Sequence, residues 1–153
     1  MFPSIKPLLL KLFFNFIPFY RRTGGRVIYI SPDETEVHIK LPHKWNTKNF
    51  VGTIYGGHIY SAIDGVHFTL FLRKFKNKYI LWDKSSTIRF IKPARTALIA
   101  KIKIPLQEFD YIQNQLQHNE SIERTYTIEW KDIAGNTVAH IEKVLYFKNK
   151  KNL

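Results

Sequence analysis

Asn49, Gly52, Gly56, Gly57 and Asp64 are the residues whose types and spacing could do chemistry. Gly56-Gly57 opens an apolar, helix-like run. The first N–H groups of a helix have no intrahelical acceptor and lie at the positive end of its dipole. Glycine lets a carbonyl come close, and such a place can hold a carbonyl oxygen as negative charge develops on it. Asp64 could be a nucleophile, or the general base that delivers water. It follows Gly57 by seven positions, about 10 Å along one helix. One chain does not easily bring both groups to one carbonyl, but two antiparallel helices related by a twofold do. The catalytic reading therefore requires a dimer, with Gly57 of one subunit facing Asp64 of the other. On the alternative reading the glycines serve close helix packing and Asp64 caps or pairs locally.

The elements that must position these residues are legible from periodicity. Ile59, Tyr60, Ala62, Ile63, Val66, Leu70, Phe71, Leu72 and Phe75 leave almost no polar face, so one long buried helix is expected over roughly 56–75. Asp64 falls inside it, and a buried carboxylate is costly unless it is paired, protonated or put to use. Before the helix, 26–31 and 34–41 read as strands joined by Pro32-Asp33 in a hairpin. After it come strands over 79–91 and 97–104, separated by Pro93-Ala94-Arg95, and a helix over 105–117 with Pro105 at its start. The last strands, 123–131 and 137–148, flank a turn containing Ala134-Gly135-Asn136. This order predicts an α+β domain. An antiparallel sheet of about five to six strands would wrap round a long central helix, with an extra N-terminal helix.

The chain has 153 residues, which suits one domain with a sizeable core. It divides into an N-terminal amphipathic helical segment (1–22), the main domain (23–148) and a basic tail (149–153). The first segment is too short and too interrupted by Lys11 and Asn15 to span a bilayer, and no cleavage site follows it. It reads as a helix packed on the domain's own core, or as a weak peripheral membrane contact. There is no cysteine, which excludes disulfides and thiol chemistry, and the expected compartment is the cytoplasm. The net charge of +12 points to an anionic partner: a phosphate-bearing ligand, a membrane surface or nucleic acid.

The stretch Asn49-x-x-Gly52-Thr53-x-x-Gly56-Gly57 followed by Asp64 resembles the hot-dog-fold acyl-CoA thioesterases of the phenylacetyl-CoA type. The likeness is nearest to an uncharacterised thioesterase subgroup, through Tyr29-Ile30-Ser31-Pro32-Asp33, Trp45-Asn46, Trp82-Asp83-Lys84 and Ile88-Arg89-Phe90-Ile91-Lys92-Pro93. The resemblance implies a hot-dog fold and hydrolysis of an acyl thioester at a dimer interface. Asp64 would be nucleophile or general base, the Gly57 amide would polarise the carbonyl, and Asn49 would orient water or the carbonyl. Tyr55 stands where relatives carry the histidine of His-Gly-Gly. A phenol donates a hydrogen bond but does not replace an imidazole base near neutral pH.

Further substrate contacts are expected from Gly56, Tyr55, Tyr60, Ile63 and His67 around the acyl tail, and from Trp82, Ser85 and Arg89 on the strand after the helix. Asp83 to Ser86 also read as a bulge or a wet edge. Lys84, Arg89, Lys92, Arg95, Lys101 and Lys103, on two strands taken as neighbours, could receive coenzyme A phosphates. Coenzyme A would arrive with the substrate; no cofactor and no metal is expected, because the histidines lack a ligand spacing. A nucleic-acid surface would need exposed aromatics interleaved with the basic residues, and none is expected. The assembly is a homodimer, or a tetramer built from it. The alternative is a non-catalytic hot-dog protein that binds acyl groups or lipid at a membrane surface.

Overall fold

The computed structural model describes residues 6–150. Of the two terminal segments named above, residues 1–5 and 151–153 lie outside the described range. Six strands form one antiparallel sheet: β1 (Arg26–Ile30), β2 (Glu36–Leu41), β3 (Tyr79–Phe90), β4 (Leu98–Lys103), β5 (Ser121–Lys131) and β6 (Thr137–Asn149). Their spatial order is β1-β2-β4-β5-β6-β3, which puts β1 and β3 at opposite edges. The helices are α1 (Pro7–Phe16), α2 (Pro18–Arg21), α3 (Gly56–Ser61), α4 (Val66–Lys74) and α5 (Leu106–His118). This is the hot-dog arrangement expected from the sequence.

Alternation builds the core. Val37, Ile39 and Leu41 of β2, Leu98, Ala100 and Ile102 of β4, and Ile141, Leu145 and Phe147 of β6 are all buried on one face of the sheet. Ile59, Ile63, Val66, Leu70 and Phe71 fill the space between them and the central helices. Trp130 on β5 is fully buried, and its indole N–H donates to the Ile59 carbonyl at 2.8 Å. Phe71, Phe109 and Phe147 meet as an aromatic cluster that seats α5 through its Phe109, Ile112 and Leu116 face.

Two expectations need correction. The central helix is not continuous: α3 ends at Ser61 and α4 begins at Val66. Gly65 at φ +74° makes the break, a left-handed conformation that suits glycine. Hydrophobic periodicity carries through such a break because both halves bury the same side. The second correction concerns β3 and β4, which are not neighbours; β5 and β6 lie between them, so their basic residues do not form one stripe.

The N-terminal helices close the β1 edge. The Asn15 amide donates to the Val27 carbonyl and accepts from the Val27 N–H, both at 2.9 Å, so it caps a strand edge that would otherwise stay open. Tyr20 is fully buried and donates to the Ala62 carbonyl at 3.0 Å. That carbonyl stands at the end of α3, where helix carbonyls lack internal partners. The N-terminal segment thus helps fix the break between α3 and α4.

Candidate active site

Asp64 stands in the break between α3 and α4. Its side chain is 47% exposed in the single chain, so it is not the buried carboxylate that a continuous helix would give. It is nevertheless held. Lys143 of β6, only 1% exposed, donates from Nζ to Asp64 Oδ1 at 2.7 Å and lies 3.1 Å from Asp83 Oδ2. The Tyr60 ring lies 5.7 Å from the same ammonium. The Tyr60 hydroxyl lies 3.5 Å from Asp64 Oδ1 and 3.2 Å from Ser86 Oγ. One ammonium thus serves two carboxylates at the mouth of the α3–α4 break.

Charge follows from this geometry. Burial works against the positive charge of Lys143, but its hydrogen bonds and proximity to Asp64 and Asp83 outweigh it, and the amine stays above its ordinary range. At Asp83 burial raises the carboxyl, Lys143 pulls it back, and the neighbouring Asp64 adds to the rise; the net shift is upward. His67 lies behind the cluster, 3% exposed and stacked on Tyr126. Its Nδ1 is buried without a hydrogen-bond partner among the described residues. Burial, then the Lys143 charge, pushes its pKa down to about 3, so the ring is neutral at pH 7.

A stability prediction follows. An unfolded histidine takes a proton near pH 6.5, whereas folded His67 takes one only at about 3. Between these values the unfolded chain binds more protons, so stability falls as the pH falls. About 1.5 units below the unfolded value the loss is ~2 kcal/mol. His67→Phe should flatten the stability–pH curve in this window. Urea unfolding of both proteins at several pH values checks it, and parallel curves would contradict it.

The glycines have a packing reason as well as a chemical one. A Cβ on Gly56 would come within 2.7 Å of the Phe90 ring, and one on Gly57 within 2.4 Å of the Tyr55 ring. Tyr55, the residue before the helix, therefore lies against the turn that carries the Gly57 amide. Asn49 spends its amide locally. Its Oδ1 accepts from the Val51 and Thr53 N–H groups at 3.1 Å each, and its Nδ2 lies 2.9 Å from Thr53 Oγ1. The side chain closes the 49–53 loop in front of α3. Asn49→Ala should cost about 1–2 kcal/mol through these lost bonds, read as a lower thermal midpoint; an unchanged midpoint would contradict this role.

Asn49 and Gly56 also line a pocket of about 440 Å³ with Ile59, Phe90, Lys92 and Arg95. Of the residues expected around the acyl tail, Tyr60 faces Asp64, while Ile63 and His67 are buried core. Trp82, Ser85 and Arg89 do not join the cluster. Ser85 pairs with Val144 and Arg89 with His140, across from Lys143 and Ile141 in the alternation, so they point to the outer face. Trp82 is 62% exposed. A bulge at Lys84 shifts the register, and Asp83 and Ser86 take the inward positions instead. Of the basic residues, Lys84 pairs with Glu123, and Lys92 pairs with Asp132 at 2.7 Å. Among the described residues no three His, Asp or Glu side chains converge as a metal site.

Lys143 is the residue that sequence reasoning missed. The signal was present: Ala139, Ile141, Lys143, Leu145 and Phe147 form one period-2 row on β6, and a lysine inside an apolar row asks for a buried partner.

The family model for a domain of unknown function (DUF4442) matches residues 6–147. No curated protein matches the sequence. Among solved structures, a Pseudomonas aeruginosa protein described as a probable thioesterase is 19% identical. It covers 93% of this chain and 95% of its own, with a TM-score of 0.83. A thioesterase from Haemophilus influenzae is 11% identical, with coverage of 95% and 92% and a TM-score of 0.70. A mutant of a thioesterase from Staphylococcus aureus is 13% identical, with coverage of 84% and 96% and a TM-score of 0.62.

Proposed function

We propose that this chain, which belongs to the DUF4442 family, hydrolyses an acyl thioester at a site shared between two copies, with coenzyme A as the expected carrier. The observation that carries the proposal is the Asp64 carboxylate at the α3–α4 break, gripped by a buried ammonium yet half open to solvent. A surface aspartate with only a structural task does not need a lysine taken wholly out of water. The thioesterase descriptions of the structural neighbours support the same reading. The spacing of Asn49, Gly52, Gly57 and Asp64 suits the phenylacetyl-CoA type.

The chemistry is an addition–elimination at the thioester carbonyl. The Gly57 N–H of one copy polarises the carbonyl oxygen and stabilises the charge that develops there. Asp64 of the other copy either attacks the carbonyl carbon or takes a proton from the water that does. The C–S bond then breaks and the thiolate leaves, taking a proton to become the free thiol; where Asp64 is the nucleophile, water then hydrolyses the acyl–Asp64 anhydride, releasing the free acid and restoring the carboxylate. Lys143 donates a hydrogen bond to Asp64 and fixes its rotamer, and Asp83 holds Lys143 in place.

One feature favours the shared site and a second favours its coenzyme A substrate. The edge strand β3 runs for 12 residues, and among the described residues nothing pairs with its outer side. It presents exposed Trp82 and Phe90, with Ile91 just beyond, so a second β3 could extend the sheet. The pocket in front of α3 also carries Arg95, a cation suited to the phosphates of coenzyme A, beside Lys92, whose ammonium is already paired with Asp132.

The test is thiol release measured against protein concentration, beside the sedimentation behaviour of the same samples. Specific activity should fall in step with the dimer fraction on dilution. A monomer at micromolar concentration, or activity that is constant as the dimer dissociates, would rule out a shared site.

A further inference from the structure

The outward face of α1–α2 is apolar and has no cover among the described residues. Leu8, Leu12 and Phe16 are spaced by four, and Leu9 and Phe13 lie beside them, so the five form one stripe along α1. They are 61%, 42%, 69%, 53% and 55% exposed, and Phe19 of α2 adds another exposed ring at 67%. The opposite face of the same helix, Leu10 and Phe14, is already buried against the sheet edge. A helix apolar on both faces normally lies between two apolar layers. Here the described residues supply only one of them. A contiguous apolar patch of this kind marks an interaction site.

Charge identifies what covers it. No acidic residue occurs before Asp33, whereas Lys6, Lys11, Arg21, Arg22 and Arg26 all precede it. Arg21, at the end of α2, also lines a pocket of about 360 Å³ with Arg26, Lys40 and Lys44. None of these four cations is in a salt bridge with a described carboxylate, although elsewhere in the molecule Lys84, Lys92, Arg124 and Lys148 are paired. The apolar stripe and the basic pocket thus meet at α2. An apolar face bordered by unpaired cations matches the interface of an anionic bilayer, with acyl chains below and phosphate headgroups beside them. No described helix is long and apolar enough to cross a membrane, so the contact is with one leaflet. The face also lies at the β1 edge, away from β3, and stays available when two copies pair through β3.

We infer that α1–α2 and the Arg21–Arg26–Lys40–Lys44 pocket dock the protein on anionic membrane surfaces, the stripe inserting and the pocket binding lipid phosphates. This does not depend on the hydrolase reading. It is tested by flotation of the full chain with phosphatidylcholine vesicles, with and without phosphatidylglycerol, at low and high salt. Three proteins are compared: the unsubstituted chain, Leu9→Glu/Phe13→Glu and Arg21→Glu/Lys40→Glu, each checked for fold by circular dichroism. The expected result is flotation with the anionic vesicles that weakens with salt, and partitioning lowered about tenfold or more by either pair of substitutions. Absence of flotation with anionic vesicles would overturn the inference, as would binding indifferent to lipid charge and salt. If Leu9→Glu/Phe13→Glu instead reduces the particle size in sedimentation without vesicles, the stripe is a contact between copies of the chain and the inference fails. The salt dependence of the unsubstituted chain gives a reading even where a variant does not fold.

Discussion

Asp64→Asn is expected to lower thiol release from a good acyl-CoA substrate by about 10²–10³-fold, in the range typical of losing a positioned base or nucleophile. The substitution keeps the shape of the side chain. The asparagine carbonyl can still accept from Lys143 Nζ, as Asp64 Oδ1 does at 2.7 Å. What is lost is the charge and the ability to attack or to take a proton. The fold should survive, because Asp83 remains 3.1 Å from the same ammonium. Asp83→Asn is the natural comparison. It removes the second carboxylate, leaves the reacting one, and should reduce turnover far less. Initial rates for the three proteins, beside their circular dichroism spectra, check this. Equal losses in the two variants would mean that the cluster acts only as structure.

The double substitution Asp64→Asn/Asp83→Asn is expected to cost about 3–5 kcal/mol of folding stability, because it strands a buried charge. Lys143 is 1% exposed, and the paired partners identified for its amine are these two carboxylates. Either single substitution leaves one ion pair and should cost much less, so the two costs will not add. Denaturant unfolding of the four proteins in the cycle measures this coupling directly. Additive losses would mean that the amine finds water or another acceptor once both carboxylates are gone. The Tyr60 ring, 5.7 Å from the ammonium, can soften the penalty but cannot replace a carboxylate.

What could be read from the chain beforehand follows the range of the interactions involved. The alternation of Val37, Ile39 and Leu41, and the spacing of Phe109, Ile112 and Leu116, are local signals, and the strands and α5 lie close to where they were expected. The glycine stretch and Asp64 stood out as a candidate site because type and spacing lie within sixteen residues. The break at Gly65 was not, because one glycine inside an apolar run does not alter the hydrophobic period on either side of it. The partner of Asp64 was harder still. Lys143 lies 79 residues away in sequence, and only the sheet order brings it to α3. The bulge at Lys84 explains the inversion on β3. A slip of one residue exchanges inward for outward, so Asp83 and Ser86 face the cluster where Ser85 had been expected to.

The most direct measurement is the rate of free-thiol appearance when the purified protein meets a panel of short, long and aromatic acyl-CoAs. Saturable release from at least one acyl class, well above the uncatalysed rate and dependent on Asp64, is the expected result. No release from any of them, by a folded and dimeric protein, would contradict hydrolysis of acyl-CoA and leave a hot-dog protein that binds acyl groups without cleaving them.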